Sequence, residues 1–160
     1  MRTLPDLAKL AISIGASQMA GVIGSLFTAR TVSSWYLILR KPDWTPPSGV
    51  FAPVWITLYL LMGVAAFLVW RRGLGHEGVR TALALFVLQL VLNALWSAAF
   101  FGARSPLAGL LVIVVLWVAI LATMISFLRV SAGAGLLLVP YILWVSFAAA
   151  LNWSIFTLNR

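Results

Sequence analysis

The residues best suited to chemistry fall into three polar and aromatic stripes at helical spacing. The first stripe places Trp55, Tyr59 and Met62 on one helical face. The second consists of Gln89, Asn93, Trp96, Ser97 and Phe100, and the third of Trp144, Phe147, Ala148, Leu151 and Asn152. If these faces converge, they form a mostly apolar pocket with a few hydrogen-bond donors, which suits a large flat hydrophobic ligand. The same pattern also fits amides that only tie helices together and tryptophans that only fill a core.

Ordinary acid–base, nucleophilic and metal chemistry are not expected. The chain has fourteen charged residues, one histidine (His76) and no cysteine. None of the charged side chains lies deep within the stretches that carry the stripes, so no general acid or base is available there. A lone loop histidine does not make a metal centre. Ion-coupled transport is disfavoured for the same reason, because such transporters place ionisable residues at membrane depth.

The distribution of charge predicts the elements that position the stripes. Five stretches are uncharged, namely 10–29, 44–70, 81–103, 105–128 and 130–159. The composition is 63% hydrophobic and the mean hydropathy is +1.08. Since a helix of about 20 apolar residues spans a bilayer core, we predict an all-α integral membrane bundle of five transmembrane helices. This single domain covers 1–160, with helices at about 7–28, 47–70, 81–101, 106–128 and 136–158, the last kinked at Pro140.

The net charge of +8 does not indicate nucleic acid. The basic residues sit singly or in pairs at the ends of the apolar runs, where they reach lipid headgroups. The lipid bilayer is therefore the expected partner. Asp6 and Lys9 depart from the usual charged start of a signal peptide, and no clear small-residue cleavage site follows, which favours a mature helix over a signal peptide. The basic residues divide too evenly between the two sides to determine the orientation.

Small residues recur four apart on the first helix, where they allow helices to approach closely in lipid. Self-association and packing within the chain would both use them, and the sequence leaves the choice open. The two ladders are Ser17/Gly21/Ser25 and Ala16/Ala20/Gly24.

Residues 29–46, here called the lid segment, form the one long connection. Loops of this length are more often lids or binding elements than filler. An aromatic belt at headgroup level is the alternative. The residues expected to form the lid are Trp35, Tyr36, Arg40, Lys41 and Trp44.

Four blocks of residues in order make the chain resemble the translocator protein family, also called tryptophan-rich sensory protein or peripheral benzodiazepine receptor. The resemblance covers about residues 15–158. The blocks are Lys41-Pro42-Asp43-Trp44-Thr45-Pro46-Pro47 with Phe51 to Tyr59, Gln89 to Asn93 with Trp96, Phe100 to Arg104, and Pro140-Tyr141 with Trp144, Phe147-Ala148 and Leu151-Asn152.

The resemblance implies a membrane receptor or sensor, often a homodimer, that binds porphyrins, haem-related tetrapyrroles and benzodiazepine-type ligands beneath the first loop. No cofactor is obligatory, and a bacterial cell membrane is the expected location. Sterol binding is disfavoured, because Trp153 stands where the animal sterol motif has a tyrosine. Transferred onto this chain, the pocket consists of Trp55, Asn93, Trp96, Trp144, Ala148 and Leu151, with Phe51, Ala52 and Val54 at its mouth; Tyr59, Phe100 and Phe147 join it from the stripes.

Within that pocket, the indoles are expected to stack on the macrocycle. Asn93 and Trp96 are expected to donate hydrogen bonds, and Arg40, Lys41 or Arg104 to pair with propionates. The alternative function is a light- and oxygen-dependent porphyrin-degrading enzyme in which Trp55 and Trp144 are redox-active. A passive transporter of lipid or porphyrin and a membrane scaffold are the remaining hypotheses.

Overall fold

The computed structural model describes residues 4–160 and contains five helices long and apolar enough to cross a membrane. The first three spans are α1 (Asp6–Ala29), α3 (Ser48–Trp70) and α4 (Val79–Ser97), with a short α2 (Trp35–Ile38) in the lid segment. The fourth is α5 (Pro106–Val130), and α6 (Ala132–Leu136) and α7 (Val139–Leu158) together form the fifth. The all-α, five-span prediction is confirmed. Arg2, one of the basic residues flanking the first span, lies outside the described residues.

Local chemistry sets the ends of the spans. Asp6 lies in the first turn of α1, where its negative charge interacts favourably with the helix dipole. Lys9 Nζ forms an ion pair with Asp6 Oδ1 at 3.4 Å. At the start of α5, the Ser105 side chain accepts a hydrogen bond from the Ala108 backbone N–H at 3.1 Å. Pro106 occupies the first turn, where a missing N–H has no cost. Both spans therefore begin where the sequence supplies a cap or a favourable charge.

Two irregular turns interrupt the spans. The end of α4 widens into a π-helical turn over Ala98–Gly102, in which the Ala103 N–H bonds to the Ala98 carbonyl at 2.8 Å. This turn places the Phe100 side chain in the interior, with 3% of its surface exposed. The fifth span breaks at 137–138, directly before Pro140, where the proline lacks the N–H that would continue the helix.

The helices form a closed ring. Helix α1 packs between α3 and α4, α5 packs against α4 and α7, and α3 meets the fifth span along α6 and a short part of α7. Glycine allows the closest approaches. A Cβ at Gly63 would lie 2.6 Å from the Ile14 Cα, and one at Gly21 would overlap the Tyr59 ring at 2.5 Å.

The small residues of α1 are therefore used within the chain. Ser17, Ala20 and Gly24 are buried, and a Cβ at Gly24 would lie 3.0 Å from the Ser97 hydroxyl oxygen. In contrast, Ala16 and Ser25 are exposed. The described structure thus shows how both predicted ladders contribute to packing within the bundle.

Candidate functional site

A buried polar network ties α3, α4 and α7 together at the centre of the bundle. The Tyr59 hydroxyl donates to Asn93 Oδ1 at 2.5 Å, and Asn93 Nδ2 donates to the Tyr141 hydroxyl at 2.9 Å. The Tyr141 hydroxyl in turn donates to Gln89 Oε1 at 2.8 Å, and Gln89 Nε2 lies 3.8 Å from Met62 Sδ. Each of these polar side chains is buried, so the network satisfies groups that would otherwise be costly in an apolar interior.

A second polar contact joins three helices close to the lid. Trp96 Nε1 donates to Asn152 Oδ1 at 3.2 Å, and Asn152 Nδ2 donates to the Pro106 carbonyl at 2.7 Å. The donors expected to reach a ligand, on Asn93 and Trp96, are thus engaged within the protein. A ligand that uses the Trp96 N–H has to replace its bond to Asn152.

Aromatic rings fill the end of the bundle above the network, and they form what we call the aromatic cluster. Trp55 stacks on Tyr59 with ring centroids 5.5 Å apart and contacts Trp96 at 6.3 Å. Trp96 stacks on Phe100 at 5.9 Å. Ring contacts divide the cluster into two groups, and both groups pack on the buried side chains of Phe100, Leu151 and Ile155. The first group contains Trp35, Tyr36, Trp55, Trp96, Phe100 and Phe101, and the second contains Trp44, Phe51, Trp144 and Phe147.

Trp144 occupies the α7 side of the aromatic cluster. Its ring lies 5.8 Å from Phe51 and 5.3 Å from Phe147, between centroids. Its indole nitrogen Nε1 is buried and has no hydrogen-bond partner among residues 4–160. Buried donors are nearly always paired, and an unpaired one costs about 1–3 kcal/mol. Among the described residues, this donor is the one fully buried side-chain nitrogen or oxygen without a hydrogen-bond partner.

The lid segment covers this end of the bundle. The Trp35 ring lies 5.6 Å from Phe100, and the Trp44 ring lies 5.7 Å from Phe147. Tyr36 contacts Phe101 at 5.7 Å. The predicted lid residues therefore reach the same aromatic rings as the predicted pocket residues.

Hydrogen bonds hold the lid segment in place. Lys41 Nζ donates to the Tyr36 and Leu39 carbonyls at 2.7 and 3.0 Å, and it lies 4.7 Å from the Tyr36 ring centroid. Burial raises the pKa of the Tyr36 hydroxyl above its ordinary value, so this hydroxyl stays neutral beside the lysine. The Asn159 side chain bonds to both the N–H and the carbonyl of Arg40, at 3.0 and 2.8 Å. Asn159 thus fastens the lid to the end of α7.

The predicted site residues divide by location. Ala148 and Leu151 are buried on α7, and Val54 is half-buried. In contrast, Ala52 is exposed on α3. The side chains of Arg40 and Arg104 are also exposed, whereas the amine of Lys41 is committed to backbone carbonyls.

Sequence reasoning missed two residues that the structure brings to the site. Tyr141 links Asn93 to Gln89, and its position directly after Pro140 was the available signal. Asn159 fastens the lid, but a polar residue near the end of a span carries no pattern that would reveal this contact.

An apolar groove lies on the outer side of α3. It has a volume of about 270 Å³ and is lined by Pro53, Val54, Thr57, Leu58, Leu61 and Pro140. Leu58 is buried and precedes Tyr59 of the polar network.

The rings of the aromatic cluster already contact one another. The centroids of Trp55 and Trp96 are 6.3 Å apart, and those of Trp96 and Phe100 are 5.9 Å apart. A macrocycle can enter between these rings only if their side chains move apart.

The fold and the aromatic cluster define a class: a multi-pass integral membrane protein built as a five-helix bundle, with an aromatic-rich interior beneath a folded lid. The model of the TspO/MBR family matches residues 13–158, and the chain belongs to that family. The tryptophan-rich protein TspO of Chlorobaculum tepidum is 49% identical over 96% of this chain and 98% of its own length. The protein of the same name from Archaeoglobus fulgidus is 42% identical over 96% and 99%. The human translocator protein is 37% identical over 91% and 86%. These matches confirm the predicted family.

Proposed function

We propose that this protein is a membrane receptor or sensor that binds a flat hydrophobic ligand, preferably a tetrapyrrole, within the aromatic cluster. The observation that carries the proposal is the buried Trp144 indole N–H, which has no acceptor among the described residues. A ligand with an acceptor at that point satisfies the donor, while neighbouring rings such as Phe51 and Phe147 supply stacking surfaces. Relatives named tryptophan-rich sensory protein and translocator protein, from Cereibacter sphaeroides and human, agree with a sensory role and with a role in transport.

The flat aromatic surfaces of the cluster and the absence of charge on its rings favour a planar, largely apolar ligand. Three half-buried indoles, Trp55, Trp96 and Trp144, pack against a single apolar core. A planar aromatic ligand gains contact area among such rings without requiring a buried counter-ion. The exposed guanidiniums of Arg40 and Arg104 lie on the lid side, where they are available to peripheral carboxylates. The same cluster also accommodates benzodiazepine-type ligands, which are aromatic and largely apolar.

A fluorescence-quenching titration with protoporphyrin tests the proposal. We expect Trp55→Phe combined with Trp144→Phe to weaken binding at least tenfold, about 1.4 kcal/mol, because one indole face and the unpaired donor are both lost. The matched control is Trp117→Phe with Trp153→Phe. Trp117 donates to Ser146 and Trp153 is 53% exposed, so the control removes two indoles outside the cluster. Equal affinity in the two double variants would remove the assignment to this cluster.

A light- and oxygen-dependent porphyrin-degrading enzyme is the second candidate function. The contact between Trp55 and Trp96 favours it, because neighbouring indoles can donate an electron to the excited ligand, which oxygen then takes up. Trp55 and Trp144 are the candidate redox residues. Illuminated protoporphyrin should give a new absorbing product with the native protein and with the Trp117/Trp153 control, in the presence of oxygen only. Equal bleaching by the Trp55/Trp144 variant would assign the loss to ordinary photochemistry.

A further inference from the structure

An open polar pocket, here called the cavity, lies at the end of the bundle opposite the lid, and the two arginines that line it, Arg71 and Arg72, are exposed. Its volume is about 550 Å³, and it is lined by Leu68, Arg71, Arg72 and Ser131. The volume falls within the range of small-molecule sites, about 300–1,000 Å³. The cavity joins the end of α3 to the junction between α5 and α6. It therefore belongs to a different part of the molecule from the aromatic cluster.

The two arginines lack an acidic partner within the described chain. Among residues 4–160, the one ion pair joins Lys9 to Asp6. The Arg71 guanidinium lies 5.6 Å from the Phe67 ring centroid, which orients it along α3 without neutralising it. Two adjacent guanidiniums on a cavity wall attract an anion, and each presents a planar set of donors that matches phosphate oxygens.

Ser131 completes the set of donors from the opposite wall. It is half-buried, and its hydroxyl makes no hydrogen bond to any residue in 4–160. A serine hydroxyl can donate to a phosphate oxygen. Leu68 lies one helical turn before Arg71 and Arg72, so it contributes an apolar patch on the membrane side of the same face.

The position of the cavity along the membrane normal indicates the source of the anion. Helix α3 has 23 residues and is about 34 Å long, slightly more than the hydrocarbon core of about 30 Å. The arginines that follow Trp70 therefore lie at headgroup level. Anionic lipids present phosphate at that level, and basic pockets between membrane helices bind such headgroups.

We propose that this cavity binds the phosphate headgroup of an anionic phospholipid, with Arg71 and Arg72 on the phosphate, Ser131 as a further donor and Leu68 against the start of an acyl chain. The plain alternative is that the arginines only flank a span, as basic residues do in many membrane proteins. The two interpretations differ in selectivity. A cavity site discriminates between headgroups and between arginines, whereas diffuse surface charge does not.

Native mass spectrometry of the detergent-solubilised protein, equilibrated with equal amounts of phosphatidylglycerol and phosphatidylcholine, tests the proposal. The wild type should retain phosphatidylglycerol in preference to phosphatidylcholine. Arg71→Gln with Arg72→Gln should reduce the retained phosphatidylglycerol by roughly fivefold or more, because two cationic contacts are lost. Arg71→Lys with Arg72→Lys should fall in between, because lysine keeps the charge but not the planar fork.

The matched control is Arg80→Gln with Arg129→Gln, which removes the same charge from the same side of the bundle outside the cavity lining. We expect it to retain phosphatidylglycerol as the wild type does. Equal loss in the two glutamine variants, or equal retention of both lipids by the wild type, would overturn the proposal. Displacement of the lipid by inorganic phosphate at a similar concentration would also overturn the lipid assignment, because it would identify free phosphate as the ligand. Circular dichroism is the control for the folding of each variant.

Discussion

Two indole N–H groups in the aromatic cluster differ in their bonding, and this difference predicts opposite contributions to stability. Trp96 Nε1 donates to Asn152 Oδ1 at 3.2 Å, whereas Trp144 Nε1 is buried and unpaired among the described residues. Trp96→Phe and Trp144→Phe remove the same atoms from half-buried positions. Any difference between them therefore reports mainly on the hydrogen bonding of the N–H.

The size of the expected difference in stability follows from the hydrogen-bond partner that each substitution leaves in the interior. Asn152 is 2% exposed, so Trp96→Phe leaves a buried acceptor without its donor, at a cost of about 1–3 kcal/mol. Trp144→Phe removes a donor that is already unpaired, which offsets part of the loss of ring contacts. We therefore expect Trp96→Phe to lower the free energy of unfolding by about 1–3 kcal/mol more than Trp144→Phe does.

Equilibrium unfolding of the ligand-free protein in mixed micelles measures both changes, with circular dichroism as the readout. Ligand must be absent, because a bound acceptor would stabilise the Trp144 donor and mask the difference. A Trp144→Phe variant that is destabilised as much as Trp96→Phe, or more, would refute the reasoning.

Two further predictions concern close packing and the lid. Gly63→Ala should destabilise the bundle by about 1–3 kcal/mol, because the added Cβ would lie 2.6 Å from the Ile14 Cα. Gly15→Ala should be neutral or slightly stabilising, because no atom lies within 4 Å of a Cβ at that position. Thermal unfolding compares the two variants, and equal midpoints would contradict the close approach at Gly63. Asn159→Ala removes both hydrogen bonds to the Arg40 backbone. Amide hydrogen exchange in the lid segment should therefore accelerate, while exchange in α5 stays the same. An unchanged exchange rate in the lid segment would show that the aromatic contacts alone hold it.

The spans could be predicted from the sequence because charge is excluded from hydrocarbon. Each of the five uncharged stretches forms most of one span, and the ends of the spans lie near charged or capping residues such as Arg71 and Ser105. The fifth span was the exception. Helix α6 begins at Ala132 although Gly133 and Gly135 follow, because a backbone within the membrane must satisfy its own hydrogen bonds. Gly135 is needed there, since a Cβ would overlap the Leu128 side chain.

The π-helical turn at Ala98–Gly102 could not be predicted from helical periodicity. Periodicity assumes 3.6 residues per turn, whereas the wider turn changes the direction of each side chain that follows it. Phe100 is buried, as its spacing from Asn93 and Trp96 predicted, whereas the contact of Phe101 with the Tyr36 ring at 5.7 Å was not predicted.

For the candidate site, the sequence indicated which faces are aromatic but not which donors remain unpaired. The spacing of Trp55 and Tyr59 predicted a shared face, and their rings stack at 5.5 Å. Whether an amide bonds to another helix or to a ligand depends on distances between helices, which a single sequence does not contain. Asn93 is bonded on both sides within the protein, whereas Trp144 is not bonded.

The most direct measurement of the proposed function is an NMR spectrum of the indole N–H groups. The chain has eight tryptophans, so protein labelled with ¹⁵N-tryptophan gives eight indole signals, and Trp144→Phe identifies one of them. On addition of protoporphyrin, we predict that the Trp144 signal changes position, because its N–H gains an acceptor beside the macrocycle, while the signals of Trp117 and Trp153 stay in place. Binding of protoporphyrin that leaves the Trp144 signal unmoved would contradict the proposal that the ligand occupies the aromatic cluster.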